Sequence, residues 1–338
     1  MIRPTLEDVA RYAGVSRATV SRVVRRDPNV ASETVTKVDA AVAELGYVPN
    51  DAARQLKAGV SRAVGLVVLD SQNPFYASVS LAAGDEAEAH GIGLFVANSH
   101  GQEAKERFYL RLFEQQRARG ILVTPGTPDL GLHRDVARRG TRVVLVDAVA
   151  PESDFCAVAS DDFHGGYEAV RHLVEIGRKR IAIFGGPMRF QQIGKRREGA
   201  LAAAEELGGV HVEFLDPGEM TILAGRALAD EITGRAAQER PDAIFAMNDL
   251  LATGVLQSVV MQRDLSVPDD IALIGYDDID FCVNAVVPIS SVRQPAAEMG
   301  RMALELLEGE IEDGPGHAHR SVMLKPELVV RDSTRRSG

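Results

Sequence analysis

Leu6, Val9, Ala10 and Ala13 recur at i, i+3, i+4 and i+7, the apolar stripe of a short amphipathic helix. Gly14 follows, supplying the positive φ of a tight turn. Ser16 is placed to cap a second helix in which Val20, Val23 and Val24 share one face. At about 100° per residue, Ala18, Arg22 and Arg25 point the opposite way, with Arg17 and Ser21 beside them. A third stripe, Val35, Val38, Val42 and Leu45, predicts a helix from Ser32 to Leu45 with Ser32 as its cap. Three short helices can then close a small core. Gly-Tyr-Val-Pro-Asn at 46 to 50 ends the third helix, and Asn50 caps a further one, Asp51 to Lys57. There Ala52, Ala53 and Leu56 share a face flanked by Arg54 and Lys57.

From Arg62 the pattern changes to short apolar runs: 63 to 70, 93 to 97, 120 to 124 and 142 to 147, with helical stretches such as Phe75 to His90 and Glu103 to Arg119 between them. A second series follows at 180 to 184, 211 to 215, 243 to 247 and 271 to 275. Near-continuous apolar strands alternating with helices predict parallel sheets covered on both faces, and two such series predict two doubly wound α/β lobes. Ligands in this architecture bind beyond the carboxyl ends of the strands. Asp70, Asp147, Asn248 and Asp277 each follow an apolar strand, and Asp161-Asp162 follow another. Residues of these types also cap helices at βα turns. As a set facing one cleft they suit hydroxyl-bearing ligands.

The second helix carries chemistry on its polar face. Arg17 and Arg22 can each make a bidentate contact with guanine, and Ala18 suits a thymine methyl group. Ser16, Thr19 and Ser21 are of a size to bond phosphates. A helical hairpin with a solvated basic face has the same spacing. The third helix and the segment after it favour a helix-turn-helix DNA reader.

Residues 5 to 59 resemble the DNA-binding head and hinge of the LacI/GalR family of bacterial transcription regulators. The carrying pattern is L-E-D-V-A-x-x-A-G-V-S-x-x-T-V-S-R-V, then L-G-Y-x-P-N, then A-R-x-L. The resemblance implies that the hinge helices of two subunits pair in the minor groove and that Leu56 wedges between base steps there. Thr5, Asn50, Ala53, Arg54 and Lys57 join the DNA-facing set with Leu56. The resemblance continues through Asn73-Pro-Phe-Tyr76, Asp161-Asp-Phe-His-Gly-Gly166, Asn248-Asp249, Gly275-Tyr-Asp-Asp278 and Arg293-Gln-Pro295 to the family's effector core, which is similar to periplasmic sugar-binding proteins. By position in R-R-E-G at 196 to 199, it implies that Arg196 contacts effector, with Asn248 and Asp277 accepting from ring hydroxyls. Asp147, Asp161, Gln192 and Gln294 complete the expected polar set. The chain has no tryptophan, so stacking falls to Phe75, Phe163 and Phe190, each of which also fits a core position.

Charge sharpens the division. Residues 1 to 60 carry nine Lys/Arg against seven Asp/Glu, and the remainder carries 29 against 41, so a head of +2 precedes a body of −12. DNA binding should then rest on locally placed cations and be strongly salt-sensitive. No apolar leader precedes Thr5 and no run approaches the length of a membrane span. Cys156 and Cys282 show no metal or redox spacing, and a reduced cytoplasmic compartment is the simplest expectation. His317-Ala-His319 lies in a Gly/Pro-rich stretch and reads as a solvated loop in preference to a metal site.

The expected architecture is a helix-turn-helix head over residues 1–49, a hinge over 50–61, and two lobes. The first lobe takes 62–160 plus about 292–320, and the second takes 161–291 plus about 321–338. The expected function is homodimeric, sequence-specific repression at a near-palindromic operator, controlled by a sugar or sugar derivative between the lobes. No cofactor and no membrane partner are expected. A solute-binding protein would explain the body but not the head. An enzyme is opposed by the lack of G-x-S-x-G, P-loop, H-E-x-x-H or strand-borne G-x-G-x-x-G patterns. Effector identity, induction versus corepression, target genes, and dimer versus tetramer stay open.

Overall fold

We describe the chain from a computed structural model covering residues 4–48, 61–151, 154–262 and 265–335. It forms two compact units, Met1–Ser61 and Arg62–Gly338. The first unit holds α1 (Leu6–Ala13), α2 (Arg17–Val24) and α3 (Ser32–Leu45). Thr5 and Asp8 form a reciprocal capping box on α1, and Ser16 caps α2 by accepting from the Thr19 amide. Gly14 and Gly46 end α1 and α3 at φ 65° and 60°, angles that cost glycine nothing. The start of α3 differs from expectation. Ala31 takes the extended cap position with no side-chain bond, and Ser32 is already helical. Val9, Val20, Val23, Val38, Ala41 and Tyr47 form the core, closed at its edge by Leu6, Val35, Val42 and Leu45. The expected helix at 51–57 lies outside the described residues.

The second unit begins with β1 (Ala63–Val68), α4 (Pro74–Ala89), β2 (Gly93–Asn98), α5 (Glu103–Gln115), β3 (Gly120–Val123), α6 (Gly131–Arg138), β4 (Val143–Val146) and β5 (Cys156–Ser160). It continues with α7 (Asp162–Glu175), β6 (Arg180–Phe184), α8 (Gln191–Leu207), β7 (His211–Leu215), α9 (Ile222–Thr233), β8 (Ala243–Ala246), α10 (Asp249–Gln262), β9 (Ala272–Asp277), α11 (Asp280–Val283) and β10 (Ser290–Arg293). Then come α12 (Ala296–Asp313), β11 (Ser321–Leu324) and β12 (Glu327–Val329). Two six-stranded sheets result, ordered β11-β5-β4-β3-β1-β2 and β12-β10-β9-β8-β6-β7. The first is all parallel; in the second only β12 runs antiparallel. Apart from the terminal strands, each follows the 2-1-3-4-5 doubly wound order, whose switch point lies at the carboxyl ends of its first and third strands.

The chain passes between lobes after β5, after β10 and after β11. Two expected boundaries shift: β10 keeps the chain in the second lobe through Arg293. Residues 321–324 belong to the first sheet, because β11 pairs in parallel with β5, so the chain returns to the second lobe only after Leu324. The signal was invisible locally, since β11 and β12 are strands of four and three residues separated by Lys325-Pro326.

Candidate functional site

In the head, the outer face of α2 presents Arg17, Ala18 and Arg22 to solvent, with Thr19 and Ser21 half-buried beside them. Arg22 Nε donates to Asp27 Oδ2 at 2.9 Å. That bond, with help from Asn29, holds the Asp27 carboxyl down at about 2. Arg25 is drawn back onto the helix, donating to the Ser21 carbonyl and hydroxyl at 2.9 and 2.7 Å. The Ser16 and Thr19 hydroxyls bond each other at 2.8 Å. Thr5 is committed to its capping box, its hydroxyl donating to Asp8 at 2.7 Å. Asn50, Ala53, Arg54, Leu56 and Lys57 lie outside the described residues.

In the core, a cavity of about 600 Å³ opens between the lobes at the strand ends. Arg196 reaches its floor because α7 and α8 touch at glycine. A Cβ on Gly166 would sit 2.0 Å from the Arg196 carbonyl oxygen, and one on Gly199 would sit 1.9 Å from that of Phe163. Only 4% exposed, Arg196 donates from Nε to Asp162 Oδ1 at 2.7 Å and from Nη1 to the Met247 carbonyl at 2.6 Å. Its guanidinium carbon lies 3.6 Å from the centre of the Tyr276 ring, and Tyr276 donates to Asp162 at 3.1 Å. Burial opposes its charge, but Asp162, Tyr276 and Asp277 outweigh burial and hold the guanidinium above its ordinary value.

Two strand-end aspartates face this arginine across the cavity. Asp147 and Asp277 adopt φ of 55° and 107°, a backbone strain worth roughly 1–3 kcal/mol each that concentrates at working sites. Asp277 accepts from Asn73 at 2.9 Å and Gln294 at 2.7 Å. Asp147 Oδ2 accepts from Tyr76 and from Gln192, both at 2.9 Å. Burial, with the Asp162 carboxylate nearby, pushes the Asp147 carboxyl up to about 8. Burial likewise raises Asp162 and Asp277, even with Arg196 beside them. Three buried oxygens around the cavity, Asp147 Oδ1, Gln192 Oε1 and Gln294 Oε1, have no hydrogen-bond partner among the described residues.

Most of the expected residues meet here. Phe75, Asp147, Phe190, Gln192, Arg196, Asn248, Asp277 and Gln294 all line the cavity. Phe75 does so from the core, edge-on to Tyr76 at 5.0 Å. Phe190 has the Arg189 guanidinium 4.6 Å from its centre. Asn248 is engaged at both ends, donating to the Met220 carbonyl at 3.0 Å and accepting from the Leu251 amide at 2.8 Å. Asp161 and Phe163 do not line this cavity. Asp161 caps α7 by accepting from His164, and both border an adjoining cavity of about 270 Å³ that shares Asp147 and Gln192 with the first. Phe163, on the first turn of α7, is 43% exposed. Sequence reasoning gave no role to Asn73, Tyr76 and Tyr276, and named Asp162 only among the strand-end polar residues. Each sits one or two places from a residue already singled out, so the motif was visible while the inward-facing member was not.

A small helical head with a cationic reading face, followed by a two-lobed core with a polar cavity, defines a ligand-responsive DNA-binding regulator. Residues 5–50 match the bacterial regulatory proteins of the lacI family, and residues 170–334 match a periplasmic binding protein-like domain. The HTH-type transcriptional repressor PurR of Photobacterium profundum is 33% identical over 98% of both chains. The ribose operon repressor of Bacillus subtilis is 33% identical over 98% of this chain and 99% of its own. The lac repressor dimer bound to operator and the anti-inducer ONPF superposes with a TM-score of 0.84 at 24% identity, covering 98% of this chain and 99% of that one. The chain belongs to the lacI family of bacterial regulatory proteins. Its relatives are transcriptional repressors, not enzymes. Among the described residues no helix is long and apolar enough to cross a membrane.

Proposed function

We propose that this protein is a cytoplasmic, homodimeric repressor that releases or grips a near-palindromic operator in response to a sugar or sugar derivative held between its lobes. The observation that carries the effector class is the trio of buried oxygens without a partner among the described residues, Asp147 Oδ1, Gln192 Oε1 and Gln294 Oε1, around one cavity. A buried polar atom left unpaired costs roughly 1–3 kcal/mol, and a ligand rich in hydroxyl groups, which both donate and accept, satisfies the two amide oxygens and the Asp147 carboxyl alike. Arg196 faces the same ligand with a nitrogen, Nη2, that takes no part in its bonds to Asp162 or Met247. Phe190, which lines the same cavity, offers apolar surface to the ligand. Two-fold pairing follows from the need to address two half-sites. The effector acts by binding DNA-competent and DNA-incompetent states unequally.

The test has two arms. A thermal-shift screen of sugars, sugar phosphates and nucleobases should return a hydroxyl-rich ligand; a hit confined to nucleobases overturns the effector class. Gel shifts against DNA upstream of candidate target genes, with and without the hit, should show sequence-specific binding that the ligand alters. Leu56→Ala should cost specific affinity more than non-specific affinity, and equal losses remove the wedge from the reading.

A further inference from the structure

At the amino-terminal end of the first sheet, opposite the strand ends that line the cavity, four donor groups converge. They belong to Cys156 at the start of β5, Glu310 near the end of α12, and His317 and His319 in the segment leading into β11. One ligating atom from each lies within 4.8 Å of the others. The pair expected in a solvated loop is therefore drawn inward, and the His317 side chain is only 6% exposed.

Each donor is prepared. His317 Nδ1 lies 2.9 Å from Asp313 Oδ2, which places the ring proton on that side and turns the Nε2 lone pair toward Cys156 Sγ, 3.1 Å away. A carboxylate behind a histidine in this way orients metal-ligating imidazoles. The Arg320 amide donates to the same sulfur at 3.4 Å, fixing its position. Glu310 is 4% exposed, and its Oε2 has no hydrogen-bond partner among the described residues. Nor does His319 Nδ1, which faces that oxygen from 4.0 Å. Arg142 approaches the other carboxylate oxygen at 3.7 Å, leaving Oε2 toward the cluster. Two buried polar atoms facing each other unbonded are costly, and one shared cation relieves both.

The geometry points to a binding site for a zinc-class divalent cation formed by Cys156, Glu310, His317 and His319. One thiolate, two imidazoles and one carboxylate make a four-coordinate N/S/O set of the kind Zn²⁺ takes. Donor bonds of about 2.0–2.3 Å put tetrahedral neighbours roughly 3.3–3.7 Å apart, so the cluster needs only small side-chain movements. Binding transfers the Cys156 thiol proton to solvent and leaves His317 in its present tautomer. The partly exposed edge of His319 opens the cluster to solvent. The ion would staple the segment before β11 to β5 and the end of α12.

Cobalt and zinc titrations of the chelator-stripped full chain test this. One equivalent of Co²⁺ should produce thiolate-to-cobalt charge-transfer absorption and four-coordinate d–d bands, both displaced by Zn²⁺. Cys156→Ser should abolish the charge-transfer band. The double variant His317→Ala/His319→Ala, altered in the segment before β11, should lose stoichiometric uptake while keeping the wild-type far-ultraviolet circular dichroism. Asp313→Asn should weaken binding by roughly 10–100-fold, the range for an outer-shell partner. Absence of the band in the wild type, its persistence in Cys156→Ser, or unchanged uptake by the double variant overturns the assignment.

Discussion

Arg22 and Arg196 carry the same group in opposite settings. Arg22 stands on the exposed face of α2, with one acidic neighbour, Asp27, that water also reaches. Arg196 is sealed between Asp162, Tyr276 and the Met247 carbonyl. An exposed ion pair is screened and readily exchanged, so Arg22 is available to a partner that arrives with its own acceptors. A buried pair is different: removing one member strands the other in a medium that cannot solvate it. The head can thus alter its reading surface with little effect on its fold. The cavity cannot alter its floor without altering stability.

The largest effect should come from Arg196→Ala, which leaves Asp162 buried and unpaired. Urea unfolding should show a loss of about 3–5 kcal/mol, with the effector response abolished. A loss below about 1 kcal/mol together with a normal response would falsify the contrast drawn here. Arg22→Ala should leave the unfolding midpoint unchanged but weaken specific DNA binding by roughly 10–100-fold, the worth of one bidentate base contact. Anisotropy titrations on specific and scrambled duplexes decide it; equal losses on both make Arg22 a phosphate contact.

A pH series sharpens the cavity side. Asp147 and Asp249 are both raised from 3.8 to about 8 by burial, with a second carboxylate nearby in each case. A carboxyl raised in the folded state binds more protons folded than unfolded between those two values. Stability should therefore fall as pH rises from about 4 to about 8, and Asp147→Asn should flatten part of that slope. Melting curves across this window test it, and an unchanged slope in the variant rejects the assignment to Asp147. The smallest effect is expected from Ser16→Ala. Loss of the cap on α2 should cost about 1 kcal/mol in head stability, seen as lower amide protection in α2.

The head was nearly legible because its order is local: stripes of valine, a capping serine and glycine stops act within one or two turns. Its one misplaced feature, the cap of α3, turned on whether Ala31 or Ser32 took the extended backbone position, a choice one residue wide. The cavity was legible only in outline. Strand-end polar residues announced it, and the R-x-x-G spacing picked out Arg196 and Gly199. What no local pattern could show is which of two adjacent residues turns inward. Asp162 pairs with Arg196 while Asp161 caps, because α7 presents its first helical residue to α8 and its cap to solvent and β11. Pairings across long sequence gaps, such as Asn73 with Asp277 or β11 with β5, were equally hidden.

The three passages between lobes lie side by side. β5 and β11 are neighbours where Ser160 meets Leu324, β10 and β12 are neighbours where Arg293 meets Glu327, and the Asp161 amide bonds the Leu324 carbonyl at 2.8 Å. Mechanically these are parallel leaves of one flexure. Sliding one lobe past the other would shear every leaf, whereas rocking bends each through a small angle. A force applied between Asp147 on the first lobe and Arg196 on the second would therefore turn the lobes about a single axis, with its lever arm longest at the lobe edges farthest from the flexure.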